Sequence, residues 1–186
     1  MAIDQKTLLF SLVIINALMA ARRSAFPVAF MMIDVDHFKR INDTHGHPVG
    51  DEVLRRIARL LAARLRRCDV LGRDGGEEFC VIAPETGLEG ARALAESLRE
   101  TVAATPVVRE WGQVATTISV GLCVARAGPG ALSLEEILAN ADAALYVAKQ
   151  GGRNRVAVCA HCRPADAAGD GEVAARAPAR TEPATS

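Results

Sequence analysis

Aromatic residues are scarce in this chain, with one Trp, one Tyr and five Phe among 186 residues. So few rings leave no platform on which single-stranded nucleic acid could stack. An excess of one charge is missing too, because 22 Lys and Arg balance 22 Asp and Glu. That excludes a broad basic surface for a phosphate backbone, and no nucleic-acid partner is expected. Long apolar runs are also absent. Leu8 to Ala20 is strongly apolar, but at about thirteen residues it falls short of the roughly 18 that a membrane span needs. Asp4 spoils the basic start of a signal peptide. The stretch therefore reads as a buried amphipathic helix, with a truncated membrane tether as the alternative. No disulfide framework is visible either, since the five cysteines are odd in number and Cys68, Cys80 and Cys123 are widely scattered.

What is present is the balance of a globular protein, 50% hydrophobic and 24% charged, in a length that suits one domain. Cys80 and Cys123 lie in apolar, strand-like runs and read as small core residues. Cys159, His161 and Cys162 make a C-x-H-C cluster. Three candidate ligands beside an aperiodic tail do not complete a metal site, so reduced thiols in a cytoplasmic protein are the reading.

Val28 to Val35 is a near-continuous apolar run ending in acids, as a buried central strand would be. Glu78 to Ala83 and the β-branched Val114 to Val124 are two further strands, with shorter ones at Asp69 to Arg73 and Arg155 to Val158. Between them, Asp51 to Arg67, Leu88 to Ala104 and Leu134 to Gln150 carry apolar residues at helical spacing. Ser133 with Glu136 makes a capping box for the last of these. Asp74-Gly75-Gly76 offers a hairpin turn, so the sheet cannot be wholly parallel. The pattern predicts an α+β fold of ferredoxin-like or palm type, with a mixed central sheet of about five strands flanked by helices. The expected organisation is an N-terminal apolar helix over residues 1–27, a catalytic domain over 28–159 and a disordered Ala/Pro-rich tail over 160–186.

Two acidic clusters fall at strand ends. Alternation puts Asp34 and Asp36 on one face, and Glu77-Glu78 follows the double glycine. If these strands are neighbours, up to four carboxylates converge, an arrangement that calls for a hard cation such as Mg²⁺ together with substrate phosphates. Taken alone, either cluster could be a solvated strand end. Lys149 and Arg153 straddle the end of the last helix, where they could clamp phosphates or complement the helix dipole.

Together these residues resemble a known family. Gly75-Gly76-Glu77-Glu78-Phe79 resembles the GG[D/E]EF signature of the diguanylate cyclases. Asp34 through His47, followed by Gly50-Asp51, is similar to that family's other long motif. Thr117-Ile118-Ser119-Val120-Gly121 and Ala141 through Asn154 look like its closing strand and helix. The resemblance runs from Val28 to Val158. It implies a nucleotidyltransferase that condenses two GTP into cyclic di-GMP and two pyrophosphates, one GTP on each domain of an antiparallel homodimer. It implies two Mg²⁺ ions per active site, or Mn²⁺ in their place, held by Asp34, the Val35 carbonyl and Glu77. Glu78 would assist at the metal or help to activate the 3′-hydroxyl. Asn42 and Asp51 would read the guanine edge. The backbone of His37 and Phe38, with Lys39, Lys149 and Arg153, would hold the phosphates.

The resemblance also implies a product-inhibition site, because Arg66 and Asp69 form an R-x-x-D upstream of the double glycine. A second arginine would come from the following helix, as Arg92 or Arg99, or from the partner subunit. Two departures motivate other readings. Met1 to Thr7 reads MAIDQKT where the family usually has D-x-L-T-G-L-x-N-R-R, and Asp74 stands where an apolar residue is usual. A catalytically silent receptor for cyclic di-GMP and a regulatory dimerisation module are the alternatives.

Overall fold

The fold is built on Val28–Val35 (β1), which is buried at every position. It has no polar face because both sides of the strand are covered. Ala29, Met31, Ile33 and Val35 point into one apolar cluster, and Val28, Phe30 and Met32 into another. In the computed structural model, which describes residues 26–109, 112–126 and 131–162, β1 is followed by Phe38–His45 (α1), His47–Ala62 (α2), Val70–Gly75 (β2) and Glu78–Pro84 (β3). Leu88–Ala103 (α3), Val107–Arg109 (β4), Gly112–Val114 (β5) and Ile118–Ala125 (β6) come next. Leu134–Gln150 (α4) and Val156–Val158 (β7) complete the elements, with a final 3-10 turn at Ala160–Cys162. The expected helix at Leu8 to Ala20 and residues 163–186 of the expected tail lie outside the described residues.

The main sheet has the order β2-β3-β1-β6-β7. β1 is antiparallel to β3 and β6, while β6 and β7 are parallel. α1, α2 and α3 pack on one face and α4 on the other. This is the mixed five-stranded α+β architecture that the sequence predicts. An unbroken apolar run often marks a parallel strand, but here it marks a central antiparallel strand with helices on both faces.

Four local expectations need correction. Phe38–His45 is a separate helix, and α2 begins at His47 rather than Asp51, because Gly46 turns the chain at φ 83° and Pro48 fits the first turn of the helix that follows. α2 stops at Ala62 rather than Arg67; turn bonds from Arg64 N to Leu61 O and Leu65 N to Ala62 O replace its continuation. The run Val114 to Val124 is divided, because Gly112–Val114 pairs with β4 in a small second sheet and β6 starts only at Ile118. Ala160–Cys162, expected to open the tail, is an ordered turn against β6. The capping box forms as read: Ser133 Oγ accepts from Glu136 N at 3.2 Å and Glu136 accepts from Ser133 N at 2.7 Å.

One face of β6 decides how α4 is seated. Ser119, Gly121 and Cys123 alternate with the apolar Ile118, Val120, Leu122 and Val124 of the opposite cluster. A Cβ on Gly121 would lie 2.1 Å from the Ala141 carbonyl oxygen and 2.3 Å from Leu145 N. Both are helix backbone and cannot step aside. Gly121→Ala is therefore expected to lift α4 off the sheet at a cost on the order of 3 kcal/mol. A melting temperature equal to wild type would show that the helix is not seated on this glycine.

Candidate active site

Strand register brings the two acidic clusters together. Asp34 at the end of β1 is the cross-strand partner of Glu78 in β3 and of Ser119 in β6. The turn between β2 and β3 is held against the end of β1, where Val35 N donates to the Glu77 carbonyl at 3.3 Å. Gly75 and Gly76 have φ of 143° and 45°, and a Cβ on either would meet nothing within 4 Å. The glycines thus answer the backbone demand of the turn and leave open space above it. The Arg73 guanidinium braces the hairpin by donating to the Gly76 carbonyl at 3.1 and 2.5 Å.

The even-numbered residues of β1 face α4, and this is why Asp34 meets Lys149 near the helix end. Lys149 Nζ lies 2.7 Å from Asp34 Oδ2. Asp34 is only 7% exposed. Burial raises its pKa above the usual carboxylate value, against the pull of the Lys149 ammonium. Glu77 is raised as well, first by burial and then by the Asp34 charge. Two carboxylates whose ionised forms burial disfavours, supported by one lysine, make an oxygen-donor set that a hard divalent cation would relieve. The donors fit Mg²⁺ on that chemistry.

Asp36 belongs elsewhere. It is 3% exposed. Its carboxylate accepts from Thr117 Oγ1 at 2.6 Å, Ser119 Oγ at 2.6 Å and Asn154 N at 3.0 Å. The convergence of four carboxylates is thereby reduced, because Asp36 is tied into a structural network. Asn154 and Arg153 both sit at positive φ, 44° and 63°, so the bend after α4 is held to the end of β1 through Asp36. Sequence reading missed this role. The signal was the i, i+2 spacing of Thr117 and Ser119, which puts two hydroxyls on one face of the chain.

Asn42 and Gly50 explain each other. A Cβ on Gly50 would lie 1.9 Å from Asn42 Oδ1. That oxygen is buried and has no hydrogen-bond partner, an acceptor waiting for a donor. Asp51, next to Gly50, is largely exposed and 4.0 Å from Arg55. His37 begins α1 at φ 57°, so the first-turn amides of α1 follow directly on the acidic strand end, with Phe38 buried beneath them and Lys39 exposed. Arg153 is exposed, and its charge acts on Asp34.

Arg66 and Asp69 lie in the turn between α2 and β2, so Arg66 falls beyond the helix expected to run to Arg67. Asp69 Oδ2 accepts from Arg66 N at 2.7 Å, and the Arg66 side chain is exposed. Of the two candidate second arginines, Arg99 is engaged by Glu96 at 2.7 Å and by Asn154 at 2.9 Å, whereas Arg92 is exposed.

Comparison with known proteins identifies the family. Residues 6–155 match the family described as diguanylate cyclase, GGDEF domain. The chain is 46% identical over 132 residues to the response regulator PleD of Caulobacter vibrioides, which covers 70% of this chain and 29% of that protein. It thus spans less than a third of that relative's length. The fold is similar to the GGDEF domain of DgcB from Caulobacter crescentus, solved in complex with c-di-GMP, with TM-score 0.74, 33% identity and coverage of 80% of this chain and 85% of that one. The active GGEEF domain of a diguanylate cyclase from Vibrio cholerae superposes with TM-score 0.71 at 35% identity, covering 81% and 92% of the two chains. Among the described residues, no helix is long and apolar enough to cross a membrane.

Proposed function

The chain belongs to the GGDEF family of diguanylate cyclases, and on that premise we propose that it condenses two GTP into cyclic di-GMP and two pyrophosphates. The observation that carries this reading is the meeting of Asp34, Glu77 and Lys149 at one sheet end beside an open glycine turn. Asp34, the Val35 carbonyl and Glu77 would hold two Mg²⁺ ions, or Mn²⁺, which supply charge at the attacking 3′-oxygen and the leaving group. Lys149, Lys39 and Arg153, with the first-turn amides at His37 and Phe38, neutralise the triphosphate. Lys149, which pairs with Asp34 here, would be placed to pair with a phosphate oxygen. Glu78, on the Asp34 face by register, supports the metal site or the 3′-hydroxyl. The catalytic unit is assigned to residues 28–159, and it works as a homodimer, since each domain binds one of the two GTP molecules. Use of GTP places the reaction in the cytoplasm.

The test is incubation of purified protein with GTP and Mg²⁺, followed by chromatography of the products. Cyclic di-GMP with pyrophosphate supports the reading. Tight binding of cyclic di-GMP without turnover would replace it with a receptor.

Guanine selection is assigned to Asn42 and Asp51. Asn42 Oδ1 accepts from the N1 or N2 hydrogens of guanine, which adenine cannot supply in the same places. A lost hydrogen bond of this kind costs about 1–3 kcal/mol, so Asn42→Ala is expected to raise the KM for GTP by about 5- to 150-fold. An unchanged KM would move base recognition elsewhere.

Product inhibition is assigned to Arg66 and Asp69, with the exposed Arg92 as the second arginine. Arg66→Ala is the cleaner variant, because Asp69 also holds the turn through Arg66 N. Wild type is expected to slow as cyclic di-GMP accumulates, while Arg66→Ala keeps its initial rate. Progress curves with equal inhibition of both proteins would refute the assignment.

A further inference from the structure

The far end of β6 carries a cluster that the proposed reaction does not use. Cys123, Cys159 and Cys162 place their three sulfurs within 4.8 Å of one another. Two strands and a turn converge to make it. Cys123 lies on the α4 face of β6, and β7 runs parallel beside that strand and delivers Cys159, whose N donates to Leu122 O at 2.8 Å. The 3-10 turn then returns Cys162, whose N donates to Cys159 O at 3.1 Å. Cys123 and Cys159 are 0% and 3% exposed, and Cys162 is half-buried at the mouth of the cluster.

We propose that Cys123, Cys159 and Cys162 form a three-thiolate site for a soft divalent cation of the Zn²⁺ class, with an external ligand in the fourth position. The spacing suits such an ion: Zn–S bonds of about 2.3 Å at tetrahedral angles set sulfurs about 3.8 Å apart. One pair, Cys159 Sγ and Cys162 Sγ, is 3.0 Å apart, so the half-exposed Cys162 would swing outward to admit the ion, and the whole set stays inside 4.8 Å. Val124 N donates to Cys162 Sγ at 3.1 Å, a contact that favours the thiolate over the thiol. A bond between Cys159 and Cys162 alone would leave a third buried sulfur unused, whereas a cation engages all three.

The site is separate from the acidic end of the sheet. Cys123 is four residue steps from Ser119 along β6, a distance of roughly 13 Å along a strand. Cys123 and Cys159 share an apolar cluster with Ile137 and Ala141 of α4, the helix whose other end carries Lys149. A bound ion would fasten β6, β7 and the Ala160–Cys162 turn as one unit under α4.

The test uses the whole chain, kept reduced and stripped of metal, with Co²⁺ as the spectroscopic probe. One equivalent of Co²⁺ is expected to give the near-ultraviolet thiolate charge-transfer band and the intense visible bands of a tetrahedral ion, both displaced by Zn²⁺. Mg²⁺ should not compete, which separates this site from the carboxylates. Zn²⁺ should protect three of the five cysteines from a thiol reagent and raise the melting temperature. Cys162→Ser, at the half-exposed position, should weaken binding by at least about 100-fold, and Cys68→Ser should leave it unchanged. If Cys123→Ser does not fold, the Cys162 variant decides the question. A thiolate-free Co²⁺ spectrum, equal affinity in wild type and Cys162→Ser, or no protection of thiols by Zn²⁺ would each overturn the proposal.

Discussion

Asp34→Asn and Glu77→Gln are expected to abolish production of cyclic di-GMP while leaving the domain folded. Each substitution keeps the shape of the side chain and removes the charge that would hold a divalent cation at the reacting phosphate. Charge stabilisation by such an ion is worth several kcal/mol in the transition state. At 1.36 kcal/mol per factor of ten, the loss is at least about a thousandfold. Stability should move the other way. Burial, with the Asp36 charge, raises the Asp34 pKa more than Lys149 and Arg153 lower it, so ionised Asp34 is a net cost to the metal-free fold. Because the folded pKa is the higher one, that cost appears as pH rises through the window between the usual carboxylate value and the raised one. At neutral pH, metal-free Asp34→Asn should therefore melt no lower than wild type. Near-normal turnover of Glu77→Gln at saturating Mg²⁺ would end the metal assignment, and so would a collapsed Asp34→Asn fold, which would mark a structural aspartate.

Two residues further along, the opposite outcome is expected. Asp36→Ala should destabilise the domain by about 3 kcal/mol, because it strands the Thr117 and Ser119 hydroxyls and the Asn154 amide that now converge on one buried carboxylate. At about 2–4 °C per kcal/mol, the melting temperature should fall by roughly 6–12 °C. The residual activity of the folded fraction should keep its dependence on Mg²⁺ concentration, since Asp36 is not assigned to the metal. A melting temperature within a degree of wild type, or a sharply raised Mg²⁺ requirement, would return Asp36 to the catalytic group. Measured side by side, the two aspartates separate a residue that stabilises the fold from one that the fold strains to hold.

Much of this molecule was legible in local pattern. The apolar run of β1, the amphipathic helices, the capping box at Ser133 and the double glycine of the hairpin each follow from near neighbours, and long motifs in a fixed order identified the family. Element ends were less legible. Gly46 and Pro48 divide a region that helical spacing alone runs together, and the crossing of Thr117 over Asp36 interrupts a stretch that β-propensity would join.

The linear chain by itself determined which residue types stand at the strand ends, which positions are apolar at which period, and where glycine relieves a turn. Only the tertiary structure decided how those residues are shared out. Asp34 and Asp36 are equivalent by alternation, yet one meets Lys149, 115 positions away, in register with the strand that leaves the glycine turn, and the other closes a hydroxyl network. Asn42 became an unsatisfied buried acceptor only because Gly50 leaves space for it. Cys123 joined Cys159 and Cys162 only because β6 and β7 run parallel, side by side. Periodicity reports which face a side chain takes, since that depends on its own backbone. Partner identity depends on sheet order and strand register, which arise from contacts between segments far apart in the chain.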